Sequence, residues 1–298
     1  MDDLQKLALQ HVQKGSNLFL TGAAGTGKTY VLRKIIRCLK SKFGAAHVRV
    51  VAPTGVAAYN VDGSTIHSCF RINPEHVDKK KPATTNPVWT TIKALVVEEV
   101  SMVSGELWNY LVAQCNASST NFSNIQVICC GDFYQLPPPK GTYAFESGAW
   151  SSMHFKAVVL TEVYRQHSDP EFVHFLHKIR LGRCTDEMVN YILRNNTASI
   201  EESREVSTSL TTHVQGIEKL NDRHIDDLEG RSRCYDVCIT SDKKSSRPLH
   251  VLKKQQVYRQ LPVPRVITLK VGAQVMVPVN MKDANLYNGM IGKVIGFT

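Results

Sequence analysis

Residues 18–29 read LFLTGAAGTGKT, and the rest of the chain is arranged around them. The apolar run Leu18–Leu20 predicts a buried strand. It stops at a loop made of Gly22, Ala23, Ala24, Gly25, Thr26, Gly27, Lys28 and Thr29. Val31, Leu32, Ile35, Ile36, Leu39 and Phe43 then recur at helical spacing. Strand, glycine loop, helix is the context that a G-x-x-x-x-G-K-[ST] match requires. The glycines let backbone N–H groups wrap a phosphate chain at close range, and the helix N-terminus adds its positive end. Lys28 is expected to reach the β- and γ-phosphates, and the Thr29 hydroxyl to hold Mg²⁺.

The bulk numbers bound what surrounds this loop. At 298 residues, the length predicts two domains, or one and a large part of another. A hydrophobic fraction of 43% with 21% charged residues suffices for a packed core. No apolar stretch approaches the roughly 18 residues of a membrane span, and Asp2 and Asp3 follow Met1 without a signal-peptide pattern. A net charge of +10 fits a polyanionic partner and equally a basic soluble protein. The eight cysteines form no C-x-x-C, so reduced thiols are expected. Adjacent Cys129 and Cys130 should point to opposite faces of a buried strand.

Read outward from the loop, the chain alternates strands and helices. Residues 4–16 predict a helix. Its Gln5 amide can read an adenine edge by donating and accepting at once, or lie on the surface. Val48–Ala52 predicts a second strand, leading into Pro53, Thr54 and Gly55 and then into Thr65 and His67. A sugar–phosphate chain lying across strand ends and an ordinary strand-to-helix turn both fit these small, hydroxylated residues. Residues 71–92, with Pro74, Pro82, Pro87 and Lys79–Lys81, read as a small surface insertion. Ala94–Val97 is a continuous apolar run, expected as a central parallel strand. It ends in Glu98 and Glu99, carboxylates suited to holding the Mg²⁺ shell and polarising an attacking water. Residues 104–115 predict a helix. Ile125–Cys130 predicts another strand, delivering Gln135 to the edge where open α/β sheets bind ligands. Val158–Leu160 leads to Arg165. Helices are expected over 170–182, with Phe172, Leu176 and Ile179 inward, and over 186–195 and 214–229. A loop is expected over 196–208, a short strand at 210–212 and a basic stretch over 241–265. Residues 266–279 and 290–297 read as a small β unit.

The ordered set TGAAGTGKT, APTGVAAYNVDGSTIHS, VVEEVSM, GDFYQLPP and LTEVYRQ resembles the Pif-one DNA helicases of the RecD-related branch of superfamily one. A weaker tail match joins VGAQVMVPVN to LYNGMIGKVIGF. The resemblance implies an α/β, RecA-like P-loop sheet over 1–162, with an insertion at about 69–92. Part of a second RecA-like domain would follow over 163–265, and the start of a small β-rich, SH3-like subdomain over 266–298. It implies ATP and Mg²⁺ as cofactors, and translocation 5′ to 3′ on single-stranded DNA. It also implies unwinding of forks and G-quadruplexes in replication, repair, recombination and telomere maintenance. Gln5 matches the adenine-reading glutamine. The loop from Gly22 through Ala23, Ala24, Gly25, Thr26 and Gly27 to Lys28 and Thr29 matches the nucleotide cradle. Glu99 matches the water-activating glutamate, Gln135 the γ-phosphate sensor and Arg165 an arginine facing the γ-phosphate. Pro53, Thr54, Gly55, Thr65 and His67 fall in the DNA-contacting stretch. An intracellular monomer of nucleus or mitochondrion, with no membrane partner, is the expected setting.

Two departures stand out. The family pattern has Asp then Glu, where this chain has Glu98 then Glu99, so the metal-side arm is one methylene longer and weaker metal handling is expected. The family's last two motifs have no match, so the sequence reads as C-terminally truncated. The alternative to a working helicase is then a catalytically weak module that binds ATP and DNA.

Overall fold

Parallel strands carry the first part of the molecule. A computed structural model describes residues 1–79, 81–166, 169–196, 214–238, 264–278, 284 and 290–297. The chain divides into two compact units, Met1–Asn196 and Thr197–Thr298. In the first unit, six strands run in chain order: β1 (Leu18–Gly22), β2 (Val48–Ala52), β3 (Ser64–Thr65), β4 (Ala94–Val97), β5 (Gln126–Cys130) and β6 (Lys156–Leu160). They form one parallel sheet in the spatial order β3-β2-β4-β5-β1-β6. This is the expected α/β, RecA-like sheet.

Nine helices accompany the strands among the described residues of this unit: α1 (Asp3–Gln13), α2 (Lys28–Phe43), α3 (Gly55–Asn60), α4 (Ile66–Phe70), α5 (Pro74–Asp78), α6 (Gly105–Ala117), α7 (Gly148–Ser151), α8 (Pro170–Arg180) and α9 (Asp186–Asn196). Alternation along each central strand divides the apolar residues into two cores. Ala94, Val96, Ile128 and Cys130 join Ala8 and Val12 of α1 and the apolar stripe of α2. Leu95, Val97, Val127 and Cys129 join Leu107 and Leu111 of α6. The two neighbouring cysteines therefore do face opposite sides, as the period of two requires. Burial pushes both thiols well above the ordinary range.

Two expectations need correction. The stretch 71–92 is exposed over most of its described length, but it is anchored in the core at Ile72, Val77, Asn86, Trp89 and Ile92. Trp89 is fully buried and stacks on Phe70, with ring centroids 4.2 Å apart. Its indole N–H donates to Gln114 Oε1 at 2.9 Å. Asn86, also buried, donates from its side chain to the Phe70 carbonyl at 2.8 Å. Prolines break the periodicity of this segment, but one aromatic anchor with a polar partner is enough to seat it in the core. The second correction is in α8, where Ile179 is exposed. The compact unit runs to Asn196, and within it Arg180, the last residue of α8, is paired with Asp132 beyond β5.

The second unit begins its described part with α10 (Val214–Asp226) and β7 (Ser232–Asp236), which pairs antiparallel with β8 (Val266–Lys270). The Lys270 ammonium donates to the carbonyls of Asp226 and Leu228, tying this ladder to the end of α10. Strands β9 (Gln274–Met276) and β10 (Ile291–Lys293) form a second antiparallel pair. The strand expected at 210–212, most of the loop at 196–208, most of the basic stretch 241–265 and part of the tail β unit lie outside the described residues.

Candidate nucleotide site

All six strands point their C-terminal ends to one edge, where open parallel sheets gather ligand-binding loops. The loop after β1 supplies the cradle. Gly27 adopts φ +82° immediately before α2, a conformation that side chains avoid. At Gly22, a Cβ would lie 2.5 Å from the Leu160 carbonyl, so only hydrogen fits between the loop and β6. Thr26 Oγ1 closes the turn onto the Ala23 carbonyl at 2.9 Å. Lys28 opens α2 and folds its ammonium inward, donating to the carbonyls of Gly22 at 2.8 Å and Ala23 at 3.0 Å. The first N–H groups of a helix have no intrahelical partner, so this end of α2 together with Lys28 can receive phosphate oxygens.

Two segments distant in sequence close around the loop. Gln5 is not a surface residue: it is 3% exposed, and its Nε2 lies 3.0 Å from where a Gly27 Cβ would sit. Asp2 caps α1 by accepting from the Gln5 N–H at 2.7 Å, and its other oxygen accepts from the Tyr164 hydroxyl at 2.7 Å. The Tyr164 N–H in turn donates to the Gly25 carbonyl at 2.8 Å. Arg165 follows directly, its Cβ 2.9 Å from where a Gly25 Cβ would sit, with an exposed side chain. Gln5, the cradle and Arg165 thus meet in one place.

The tip of β4 completes this group. Glu98 is 5% exposed, and its Oε1 accepts from the Thr29 hydroxyl at 3.1 Å. Its Oε2 is fully buried without a hydrogen-bond partner. Burial and the neighbouring Glu99 charge raise the Glu98 carboxyl above its ordinary value, against the opposing pull of the Cys130 thiol, Thr29 and Lys28. An orphaned carboxylate oxygen beside a hydroxyl supplies two hard oxygen donors of the kind that suit Mg²⁺. The extra methylene of Glu98 therefore does not remove it from Thr29. Glu99 is half-buried at φ +52°, a left-handed conformation that costs a non-glycine residue about 1–3 kcal/mol and concentrates at functional sites.

Gln135 rests on a neighbouring carboxylate. Its amide donates to Asp132 Oδ2 at 3.1 Å. Asp132 is 1% exposed and also takes a bidentate pair from Arg180, Nε to Oδ2 and Nη2 to Oδ1, both at 2.7 Å. The Tyr134 N–H adds a fourth donor at 3.2 Å. Burial opposes the Asp132 charge, yet Arg180, Gln135 and Tyr134 together hold the carboxyl below its ordinary value.

The DNA-contact candidates form a neighbouring group on the same sheet edge. Register pairs Ala52 with Thr65, so Pro53, Thr54 and Gly55 emerge beside Thr65 and His67. Both threonine hydroxyls accept a backbone N–H, Thr54 from Ala57 and Thr65 from Ser68, each at 3.3 Å. They cap α3 and α4, and each O–H remains able to donate to a phosphate. Burial lowers the His67 imidazole below its ordinary value, which makes it a neutral contact at physiological pH.

The family model described as PIF1-like helicase matches residues 2–190, a span containing every one of these groups. The chain belongs to the PIF1-like helicase family. It is 36% identical to the ATP-dependent DNA helicase PIF1 of Xenopus laevis, with 98% of this chain aligned to 46% of that protein. The chain therefore spans about half the length of this curated relative. The crystal structure of Pif1 helicase from Candida albicans superposes with a TM-score of 0.78 at 33% identity, over 99% of this chain and 69% of that one. The Bacteroides Pif1 structure in complex with ADP-AlF3 and ssDNA superposes at 0.68, with 25% identity, over 100% of this chain and 70% of that one.

Within this PIF1-like fold, three participants were not singled out from sequence. Asp132 stood in view inside GDFYQLPP. Asp2 carried the signature of an N-cap. Arg180 gave no local signal, since a basic residue ending a helix needs no other explanation than the helix dipole.

Proposed function

We propose that this protein is an ATP-dependent DNA helicase that moves 5′ to 3′ along single-stranded DNA. The observation that carries the reading is the buried Glu98 carboxylate, with one oxygen on Thr29 and one without a partner, at the mouth of the glycine loop. Thr29 and Glu98 would hold Mg²⁺, which supplies charge neutralisation on the phosphates when bound. Lys28 exchanges its loop carbonyls for phosphate oxygens. Gln5, buried against Gly27, reads the adenine edge. Glu99 accepts a proton from the attacking water, Gln135 senses the γ-phosphate and Arg165 stabilises the charge that develops on it. Pro53, Thr54, Gly55, Thr65 and His67 contact the DNA backbone at the adjoining strand tips. The net charge of +10 and the single-stranded DNA bound by the Bacteroides relative support that partner. We extend the proposal to forked and G-quadruplex DNA, to a monomer, and to genome maintenance in nucleus or mitochondrion.

The test is ATP hydrolysis with and without single-stranded DNA, beside Lys28→Ala. DNA-stimulated turnover that Lys28→Ala abolishes is the expected result. Binding of an ATP analogue without turnover would overturn the helicase reading in favour of a binding module. Turnover untouched by Lys28→Ala would overturn the site.

A further inference from the structure

Asp132 receives four donors, two on each oxygen, as many as a carboxylate accepts. Arg180 alone satisfies both oxygens with two charge-assisted bonds of 2.7 Å, and its guanidinium lies 4.4 Å from the centre of the Tyr134 ring. Gln135 then shares Oδ2 with Arg180 as a third, weaker partner at 3.1 Å. The pair is secluded, with side-chain exposures of 18% for Arg180 and 1% for Asp132. A carboxylate this buried cannot turn to water if it loses a donor. Whether Gln135 is free to leave Asp132 is therefore decided by whether Arg180 stays.

From this geometry we propose that Arg180 is a positioning residue for Gln135: by satisfying Asp132 on its own, it lets the Gln135 amide leave that carboxylate for the γ-phosphate. The inference rests on the nucleotide-site reading above and deepens it. The loop carrying both groups begins where the Gly131 N–H donates to the Leu20 carbonyl, so it starts alongside the glycine cradle. With Arg180 present, Gln135 gives up one of the four bonds that Asp132 receives and gains a charged acceptor. With Arg180 removed, the Gln135 amide is the only side-chain donor left to a buried charge among the described residues, and it stays there. Arg180 also belongs to α8, which follows the Tyr164–Arg165 segment packed on the cradle. One stretch of chain thus meets the phosphate loop near its start and controls the sensor near its end.

The experiment is a set of variants read in two ways. In DNA-stimulated hydrolysis, Arg180→Ala is expected to lower kcat about 10- to 100-fold, as small misplacements do, with the KM for ATP unchanged. In a Gln135→Ala background, Arg180→Ala should add nothing, because its effect passes through Gln135. Arg180→Lys, which keeps the charge but not the fork, should fall between wild type and Arg180→Ala. Asp132→Asn with Arg180→Ala should recover part of kcat, since a neutral side chain releases Gln135. Multiplicative losses in the Gln135→Ala background, or no recovery in the Asp132→Asn pair, would overturn the role. The second readout needs no turnover: the Gln135 side-chain amide resonance, assigned from Gln135→Ala, on adding ADP–aluminium fluoride with Mg²⁺. It should shift in wild type, shift in part in Arg180→Lys and hold its starting position in Arg180→Ala. An analogue that binds while the wild-type resonance stays fixed refutes the positioning role alone. An analogue that does not bind brings down the nucleotide site, and this role with it.

Discussion

Glu98 and Asp132 are buried carboxylates beyond the ends of adjacent parallel strands, β4 and β5, and the fold treats them in opposite ways. Asp132 receives four hydrogen bonds, two of them from a guanidinium, and its pKa is lowered. Glu98 has one oxygen on a threonine, the Cys130 thiol beside it and a buried second oxygen without a hydrogen-bond partner, and its pKa is raised. Equal burial therefore has two consequences, set by what the neighbours bring. A carboxylate closed by arginine is a structural joint. One left open beside a hydroxyl, with Lys28 near enough to lower its pKa, is a place for a cation. The difference shows that burial of an acid does not reveal its job; the inventory of its unused oxygens does.

That contrast can be broken or sharpened by experiment. The largest effect is expected at the closed carboxylate. Asp132→Ala leaves Arg180 largely buried and uncompensated, and should cost about 3–5 kcal/mol of stability in denaturant unfolding of the nucleotide-free protein. A midpoint close to wild type would mean that the pair is not a joint. At the open carboxylate, Glu98→Gln should leave the unfolding midpoint unchanged or raise it, while Mg²⁺-dependent hydrolysis falls about 10²-fold or more. If the variant retains wild-type turnover, Glu98 is not the metal-side acid. The smallest effect is the pH dependence, and its sign differs between the two. The raised Glu98 pKa means that its contribution to stability is fully present below about pH 4.3, the ordinary glutamate value, and is lost as pH rises through the folded value. The advantage of Glu98→Gln over wild type should thus open on the alkaline side of that range and close on adding Mg²⁺ with nucleotide. The lowered Asp132 pKa gives a contribution present above about pH 3.9, the ordinary aspartate value, and lost as pH falls through the folded value. The deficit of Asp132→Asn should thus shrink in acid. Parallel curves for the two variants would erase the distinction.

Much of this was legible in residue order. The glycine loop, the apolar runs that became β1, β2, β4, β5 and β6, and the two acids after β4 are local patterns whose backbone consequences are nearly forced. The segment around Trp89 was not legible, because prolines and lysines hide a single aromatic anchor whose partners, Phe70 and Gln114, lie well away along the chain. For Gln5 the sequence offered both an adenine reader and a surface amide, and packing against Gly27 removed the second. Strand β7 escaped notice because all five of its residues are exposed and it carries no apolar alternation.

By itself, then, the sequence determined the parallel α/β sheet and the phosphate cradle, since each rests on short-range spacing that backbone geometry converts directly into shape. Only the tertiary structure decided which acid is open and which is closed, that Gln135 rests on Asp132, and that Arg180 pairs with the same carboxylate. Those facts depend on groups 48 and 69 positions apart meeting in a space that excludes water. In such a space, the worth of each charge is fixed by its partners and no longer by its own chemistry.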